Sequence, residues 1–316
     1  MANADRINTV AVIGAGFIGP GIAQIFATKG YRVYLEDIRP QALSQAIELM
    51  RANLQGLADA GVIDRTEIEA VLHKVQVTSD FREAVRSAQL VIEAVNENLE
   101  LKQKIFVDLD SICPPETILC TNTSVISVSQ IASKAFRRDR IVGTHFWNPP
   151  YLIPLVEVVK GNDTSDETMI ATFDFLKKVG KHPVKCLKDV PGFIANRLQH
   201  ALWREAISIV ENGIADAKTV DEAIRSGFAI RLPVLGPLEN ADMVGLDLTL
   251  SIHEYVLDFL EDSHEPSKLL KEKVRNGELG FKSGKGFFDW TAEEIQRSRE
   301  RLSRHLIEYL KKTESN

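Results

Sequence analysis

Cysteine is scarce: Cys113, Cys120 and Cys186 are the three in 316 residues, at spacings that match no metal-binding pattern. This excludes a disulfide framework and a cysteine-based metal site, and points to reduced thiols in a cytoplasmic protein. No run reaches the roughly 18 apolar residues that a membrane-spanning helix needs. The opening residues MANADRINTV lack the hydrophobic stretch of a secretion signal, and a strand pattern begins almost at once. Basic charge is also in deficit. Lys and Arg number 38 against 44 Asp and Glu, the net charge is −6 and no basic cluster stands out, so no nucleic-acid partner is expected. There is no internal repeat and no low-complexity segment. What is present is an ordinary globular composition, 44% hydrophobic and 26% charged, long enough for two domains.

The most informative stretch is Thr9-Val10-Ala11-Val12-Ile13-Gly14-Ala15-Gly16-Phe17-Ile18-Gly19. A β-branched run ends in Gly-x-Gly-x-x-Gly, a helical pattern follows (Gly21 to Lys29), and a second short run (Arg32 to Leu35) ends in Glu36-Asp37. Gly14 permits a sharp turn, Gly16 carries no side chain to hold a pyrophosphate off the backbone, and Gly19 lets helix and strand approach. The helix N-terminus offers N–H groups and a positive dipole end to phosphates. An acid about twenty residues further on suits the ribose hydroxyls of NAD. Asp37, at the strand's end, is the better candidate; Glu36 reads as a solvated neighbour. Arg39 could face a 2′-phosphate, but an acid at the ribose position repels one, so NAD is favoured over NADP.

Up to about residue 185, short apolar runs alternate with helical patterns, which implies an α/β fold with a Rossmann-type, doubly wound, mainly parallel sheet. Strands are expected at Val75–Val77, Leu90–Val95, Thr117–Cys120, Arg140–Thr144, Leu155–Val159 and His182–Cys186. The intervening helices are Pro40–Ala60, Thr66–His73, Asp80–Ala88, Leu99–Ile112, Val128–Ala132 and Glu167–Val179. Beyond a linker at Leu187–Val190 the pattern becomes helical: Phe193–Asn212, Val220–Ser226, Asn240–Glu261 and Pro266–Asn276. The expected domains are residues 1–187, binding the dinucleotide, and an all-helical C-terminal domain, residues 188–316. Asp247-Leu248-Thr249-Leu250-Ser251-Ile252 with Tyr255, Val256, Phe259 and Leu260 is rich enough in apolar residues to face both a core and a second copy of the chain, so a homodimer is expected.

The residues that carry chemistry begin late in the first domain. His145 ends one strand, Glu157 lies within the next, and the Pro-rich loop Asn148-Pro149-Pro150 joins them. A hairpin-like return would bring imidazole and carboxylate together. A carboxylate on one ring nitrogen fixes the tautomer and stabilises the imidazolium, leaving the other nitrogen to take a proton. Glu157 interrupts Leu155-Val156 and Val158-Val159, where a charge is costly without a partner. An alcohol cannot lose hydride until its hydroxyl proton has a destination, so a dehydrogenase needs such a base.

These residues, with Asn122-Thr123-Ser124, Thr144-His145-Phe146-Trp147-Asn148-Pro149-Pro150 and Pro191-Gly192-Phe193-Ile194-Ala195-Asn196-Arg197, closely resemble the L-3-hydroxyacyl-CoA dehydrogenase family, including its λ-crystallin/L-gulonate 3-dehydrogenase branch. The resemblance runs from Val10 to about Trp290. It implies a Rossmann-type domain, a helical dimerising domain and a cleft between them. It makes His145 the catalytic base, Glu157 its partner, and Ser124 and Asn196 the groups that hydrogen-bond the substrate oxygen. Cofactor contacts fall on Gly14, Gly16, Phe17, Ile18, Gly19, Asp37, Glu97, Lys102, Ser124, Asn148 and Lys282, and no metal is implied. On the residues alone, Ser124 could instead cap a helix, Asn196 could knit two helices, and Glu97 and Lys102 could be solvated charges. Likewise, Asn148 could be a turn residue and Lys282 an exposed loop lysine.

The resemblance to the bulk of the family implies an L-3-hydroxyacyl-CoA substrate, oxidised to the 3-oxo thioester. Where family members carry a CoA-binding serine and lysine on the helix after the ribose acid, this chain has Asn53 and Ala60, with Arg51 the one basic residue there. That keeps an unconjugated 3-hydroxy acid such as L-gulonate open. A non-catalytic NAD-binding or structural protein is a third reading, disfavoured by the intact set of four. The segment from Thr291 runs past the family's short members, with Ile295, Leu302, Ile307 and Leu310 giving it a partly amphipathic pattern.

Overall fold

The computed structural model describes residues 4–314. Its sheet is built from β1 (Thr9–Ile13), β2 (Arg32–Glu36), β3 (Val75–Thr78), β4 (Leu90–Glu93), β5 (Ile118–Thr121), β6 (Ile141–Phe146), β7 (Leu155–Val159) and β8 (His182–Cys186). The helices among them are α1 (Gly19–Thr28), α2 (Pro40–Asp59), α3 (Glu67–Leu72), α4 (Phe81–Val85), α5 (Leu99–Ile112), α6 (Val128–Ala132) and α7 (Asp166–Lys178). The strand order is β3-β2-β1-β4-β5-β6-β7-β8. All neighbours pair in parallel except β6 and β7, which are antiparallel.

Alternation along the strands explains why both faces are covered. Val10 and Val12 of β1, with Leu90 and Ile92 of β4, join one apolar cluster with Ile22, Phe26, Leu54 and Phe175. Ala11 and Ile13, with Val91, join the other with Phe106, Leu109 and Ile131. Successive strand residues point to opposite faces, and a mainly parallel sheet buries both under helices. Each large side chain buried in this way contributes about 1.5–3 kcal/mol.

The crossing from β1 to β4 matters for the site. Strand order reverses there, which opens a crevice at the C-terminal ends of the strands. Gly14 has φ +104°, and a Cβ on it would lie 2.7 Å from the Ala94 carbonyl oxygen. A Cβ on Gly19 would lie 1.9 Å from the Gly14 carbonyl oxygen. Both positions therefore require glycine, as the motif implies.

After β8 come α8 (Ala195–Glu211), α9 (Ala217–Ser226), α10 (Pro237–Val244), α11 (Leu246–Val256), α12 (Lys268–Arg275) and α13 (Ala292–Glu314). The single helix expected over Asn240–Glu261 is two. Gly245 (φ +106°) closes α10 through its N–H to Ala241 and accepts from Thr249 at the start of α11. A short 3-10 turn, Leu257–Phe259, follows α11. The helix expected from Phe193 begins two residues later, because Phe193 itself has φ +47°.

By packing, the chain divides into residues up to Asn196 together with those from Leu302, and Arg197–Arg301. The sequence places its boundary after Leu187. The segment from Lys188 to Asn196 groups with the first unit because it is bonded there. Asp189 accepts from Ser127 Oγ (2.6 Å) and from the N–H groups of Val128 (3.1 Å) and Ser129 (2.7 Å). Within Arg197–Arg301, Ser208 and Val220 are the buried residues. Leu246, Leu248, Leu250 and Ile252 of α11 are all exposed, and only the face with Thr249 and Val256 is half-buried.

Candidate active site

The antiparallel register of β6 and β7 sets His145 directly opposite Glu157. Their side chains meet, with His145 Nδ1 2.8 Å from Glu157 Oε2. The same oxygen accepts from Trp147 Nε1 at 3.3 Å. The other oxygen, Oε1, accepts from the N–H groups of Ile194 (2.8 Å) and Ala195 (2.9 Å), where α8 starts. Glu157 is fully buried. Burial alone would raise its pKa, but the bond to His145 and the two amides outweigh that and hold it below the ordinary carboxylate value. Glu157 is therefore ionised at neutral pH, and a buried carboxylate with four donors has its charge compensated.

The turn that delivers those amides is strained. Gly192 (φ +77°) and Phe193 (φ +47°) both lie in the left-handed region, and only the glycine does so without cost. Phe193 is buried, and its ring centroid stands 5.8 Å from that of His145. On the imidazole's other contact, Trp147 stands at 5.6 Å. The sequence alone assigns no role to Trp147 or Phe193. The available signals were the i, i+2 spacing of Trp147 from His145 and the Pro-Gly pair before Phe193.

Ser124 and Asn196 are brought together, with Asn196 Nδ2 3.3 Å from the Ser124 carbonyl oxygen. Ser124 does not cap α6; Ser127 does, accepting from Gln130 N–H. Asn196 is half-buried. Asn122, next to Ser124, accepts the Phe146 N–H at 2.8 Å and so ties the β5 loop to the end of β6.

Glu97 and Lys102 are not a solvated pair. Lys102 is fully buried, with Nζ 2.7 Å from Glu93 Oε1 and 3.5 Å from Glu97 Oε2. Glu93 also accepts from Val95 N–H (2.8 Å) and Thr121 Oγ1 (2.7 Å). Glu97 in turn accepts from Thr123 Oγ1 at 3.0 Å and from Ser124 N–H. The ammonium thus reaches the Ser124 loop through Glu97. Glu93, absent from the sequence-based candidates, anchors the chain of contacts.

At the dinucleotide end, no side chain caps α1, and a Cβ on Gly16 would meet nothing within 4 Å. The cradle above this glycine is open, as a pyrophosphate requires. Phe17 is exposed and Ile18 half-buried beside it. Asp37 is buried and accepts from Ala15 N–H (3.0 Å), from Arg39 N–H (2.9 Å), and from the Arg39 guanidinium at 3.0 and 3.1 Å. Burial works against its ionisation, but these bonds hold its pKa below the ordinary value. Glu36 is a correction to the sequence reading: it is buried, and burial with the adjacent Asp37 charge raises its pKa to about 7.

Asn148 is exposed and begins the loop between β6 and β7. Pro150 packs where a Cβ on Gly21 of α1 would be, 2.6 Å away. Lys181, its pKa pushed down to about 8 by burial and by Lys29, donates to the carbonyls of Pro150 and, at 3.0 Å, Ile153. This lysine fixes the loop from beneath and was not a sequence-based candidate. Lys282 belongs to the Arg197–Arg301 unit, where it is exposed. Asn53 donates to Gln24 Oε1 at 3.1 Å, tying α2 to α1. Among the described residues there is no cluster of His, Cys, Asp and Glu fit to hold a metal, and no helix long and apolar enough to cross a membrane.

A doubly wound sheet with an open glycine cradle and a ribose-side acid defines a Rossmann-type dinucleotide-binding protein, and the buried His–carboxylate pair adds a group able to move a proton. Comparison with known proteins narrows this. The 3-hydroxyacyl-CoA dehydrogenase NAD binding domain matches residues 9–190 and the C-terminal domain of the same family matches residues 192–290. The chain belongs to the 3-hydroxyacyl-CoA dehydrogenase family, and its cofactor is NAD. It is 39% identical over 286 residues to the probable 3-hydroxybutyryl-CoA dehydrogenase of Bacillus subtilis, covering 90% of this chain and 98% of the relative. The structure of (S)-3-hydroxybutyryl-CoA dehydrogenase from Ralstonia eutropha matches with TM-score 0.76 at 33% identity, over 90% of this chain and 99% of that one. The structure of 5-formyl-3-hydroxy-2-methylpyridine 4-carboxylic acid 5-dehydrogenase, an NAD+-dependent dismutase, matches with TM-score 0.90 at 32% identity, over 98% and 99%.

Two outcomes follow from the buried charges. Because Glu36 binds its proton more tightly in the folded state, its contribution to stability is full below pH 4.5 and is lost as pH rises through about 7. Glu36→Gln is expected to match the wild type in urea melts near pH 4 and exceed it near pH 8 by roughly 1–3 kcal/mol. An equal difference at both pH values would contradict this. Lys102→Met strands the Glu93 charge and is expected to cost about 3–5 kcal/mol in the same melts. Adding Glu93→Leu should recover much of that loss, and a double variant as unstable as the single one would show that the ion pair is not the cause.

Proposed function

We propose that this protein is an NAD-dependent dehydrogenase that interconverts an L-3-hydroxyacyl-CoA and its 3-oxoacyl-CoA. The observation that carries the reading is the buried His145–Glu157 contact across the one antiparallel strand pair. With Nδ1 held by Glu157, Nε2 is the nitrogen that takes the hydroxyl proton during oxidation and returns it during reduction. Glu157 stays ionised and stabilises the imidazolium that forms. Ser124 and Asn196 hydrogen-bond the substrate oxygen, held in place by Glu97 and by each other. NAD, when bound, accepts the hydride. Gly14, Gly16, Phe17, Ile18 and Gly19 cradle its pyrophosphate, Asp37 its ribose hydroxyls once Arg39 yields, and Asn148 the nicotinamide end. Lys282 is assigned to the cofactor by family likeness, and Lys102 acts through Glu97.

A second reading, a dehydrogenase of an unconjugated acid, is favoured by α2. CoA's ADP end is strongly anionic, and at the positions of the family's CoA-binding serine and lysine stand Asn53, engaged with Gln24, and Ala60. The likeness over nearly the whole length to a pyridine carboxylic acid dehydrogenase supports the same reading.

The region from residue 188 to 316 is assigned to substrate binding and homodimerisation. Almost nothing between Arg197 and Arg301 is buried, and an open cavity of about 1360 Å³ there is lined by Trp203, Ile207, Val210, Val220 and Leu270 among others. Soluble monomers rarely expose so much apolar surface, and α11 leaves Leu246, Leu248, Leu250, Ile252 and Tyr255 exposed, side chains that a second copy of the chain would cover. A cytoplasmic location is proposed from the three free, buried thiols.

His145→Gln is expected to bind NADH normally and to lose turnover by several orders of magnitude. The assay is NADH oxidation with acetoacetyl-CoA beside free acetoacetate. Undiminished turnover in the variant would refute the role of His145. Preference for the thioester selects the first reading, and activity on the free acid alone selects the second. Sedimentation at micromolar concentration should give a dimer's mass, and a monomer would end that proposal.

A further inference from the structure

Glu157 carries one donor beyond those needed to orient His145 and start α8. Residue 147 follows the end of β6, two positions from His145, so both side chains leave the strand on the same face. There it is a tryptophan, half-buried, with its indole N–H directed at Glu157 Oε2. That is the oxygen that holds His145 Nδ1. The two donors share one acceptor, at 2.8 and 3.3 Å, while the amides of Ile194 and Ala195 fill the other oxygen. The ring also packs at 58° against the imidazole, 5.6 Å away, and Phe193 stands 5.8 Å from the same imidazole.

We propose that Trp147 is a positioning residue for the acid–base pair: its indole N–H withdraws part of Glu157's negative charge from His145 and locks the rotation of both side chains. This rests on the reading of His145 as the group that moves the proton. The physical argument concerns balance. A carboxylate that gave all of one oxygen to the imidazole would hold the imidazolium too firmly for easy proton return. A second donor on that oxygen weakens the hold without neutralising the charge. Cys186 on β8, an ionisable neighbour of Glu157 and Asp189, has its thiol pushed up by burial and therefore stays neutral, so it does not compete.

The test is Trp147→Phe, which keeps most of the ring volume and removes the N–H. Glu157 then holds the imidazolium more tightly. The acid limb of the kcat profile for alcohol oxidation is expected to move to higher pH by about half a unit, the scale set by one neutral donor's worth of stabilisation. Turnover below the limb should fall roughly threefold, following from that half-unit shift, with KM for NAD unchanged. In a Glu157→Gln background the same substitution should produce no further shift, because the coupling runs through the carboxylate. A limb that does not move in a variant melting like the wild type overturns the proposal, as does an equal shift in the Glu157→Gln background. If Trp147→Phe fails to fold, the intact protein still decides. Trp147, Trp203 and Trp290 give three indole N–H resonances. One should move as pH crosses the acid limb, and should lose that response in Glu157→Gln. No moving resonance refutes the contact. Full activity in His145→Gln would refute the catalytic reading while leaving the resonance response intact, so the two failures are separable.

Discussion

A single buried carboxylate, Glu157, organises the end of the sheet where β6 meets β7. An isolated charge within a sheet is prohibitively costly, so each structural feature around it can be read as supplying a donor. The antiparallel register of β6 and β7 supplies His145. The chain leaving β6 supplies Trp147, and the strained Gly192-Phe193 turn supplies the first amides of α8. A one-residue slip in the β6–β7 register would send His145 to the opposite face from Glu157. The reversal of strand direction at β7, an exception in an otherwise parallel sheet, is thus the topological condition for the pair.

A second buried charge system holds the other wall. Glu93, at the end of β4, pairs with Lys102 of α5, which reaches Glu97, which holds Ser124 by its backbone. Such a pair is weak evidence for stability, since its desolvation costs about as much as its attraction returns. Its value lies in geometry. It fixes the end of β4, the start of α5 and the β5 loop to one another at the crevice where the strand order reverses. The two systems meet at Asn122 and Asn196, which bond the end of β6 and the Ser124 loop respectively.

These features differ in how visible they are in the sequence. The glycine cradle and Asp37 are legible because backbone needs are written as residue identity: only glycine tolerates the φ of Gly14 or the contact at Gly19. The His145–Glu157 contact is legible because a charge interrupts a run of apolar β-branched residues. The sheet is legible from the alternation of strands and helices. Partners far apart in sequence are not. Glu97 and Lys102 look like ordinary helix-start charges until α5 is packed against Glu93 at the end of β4, and Glu36 looks like a solvated neighbour until the sheet buries it. Lys181 holds a loop thirty residues earlier, for which no local pattern exists. The break at Gly245 was hidden by apolar periodicity that continues through it, although the glycine was in view.

The C-terminal unit shows the same limit from the opposite side. Its helices are apolar enough to read as a core, yet among the described residues of Arg197–Arg301 only Ser208 and Val220 are buried. Packing contributes only when a second surface is present, and periodicity marks which residues want burial without saying against what. The acid–base pair needs no such partner: β6, β7 and the first turn of α8 complete Glu157's coordination within one unit. The donors that keep Glu157 charged thus come from β6, the residue after it and the Gly192-Phe193 turn, all within the unit that holds the chain up to Asn196, whereas the helices of Arg197–Arg301 leave most of their apolar side chains exposed in the single chain.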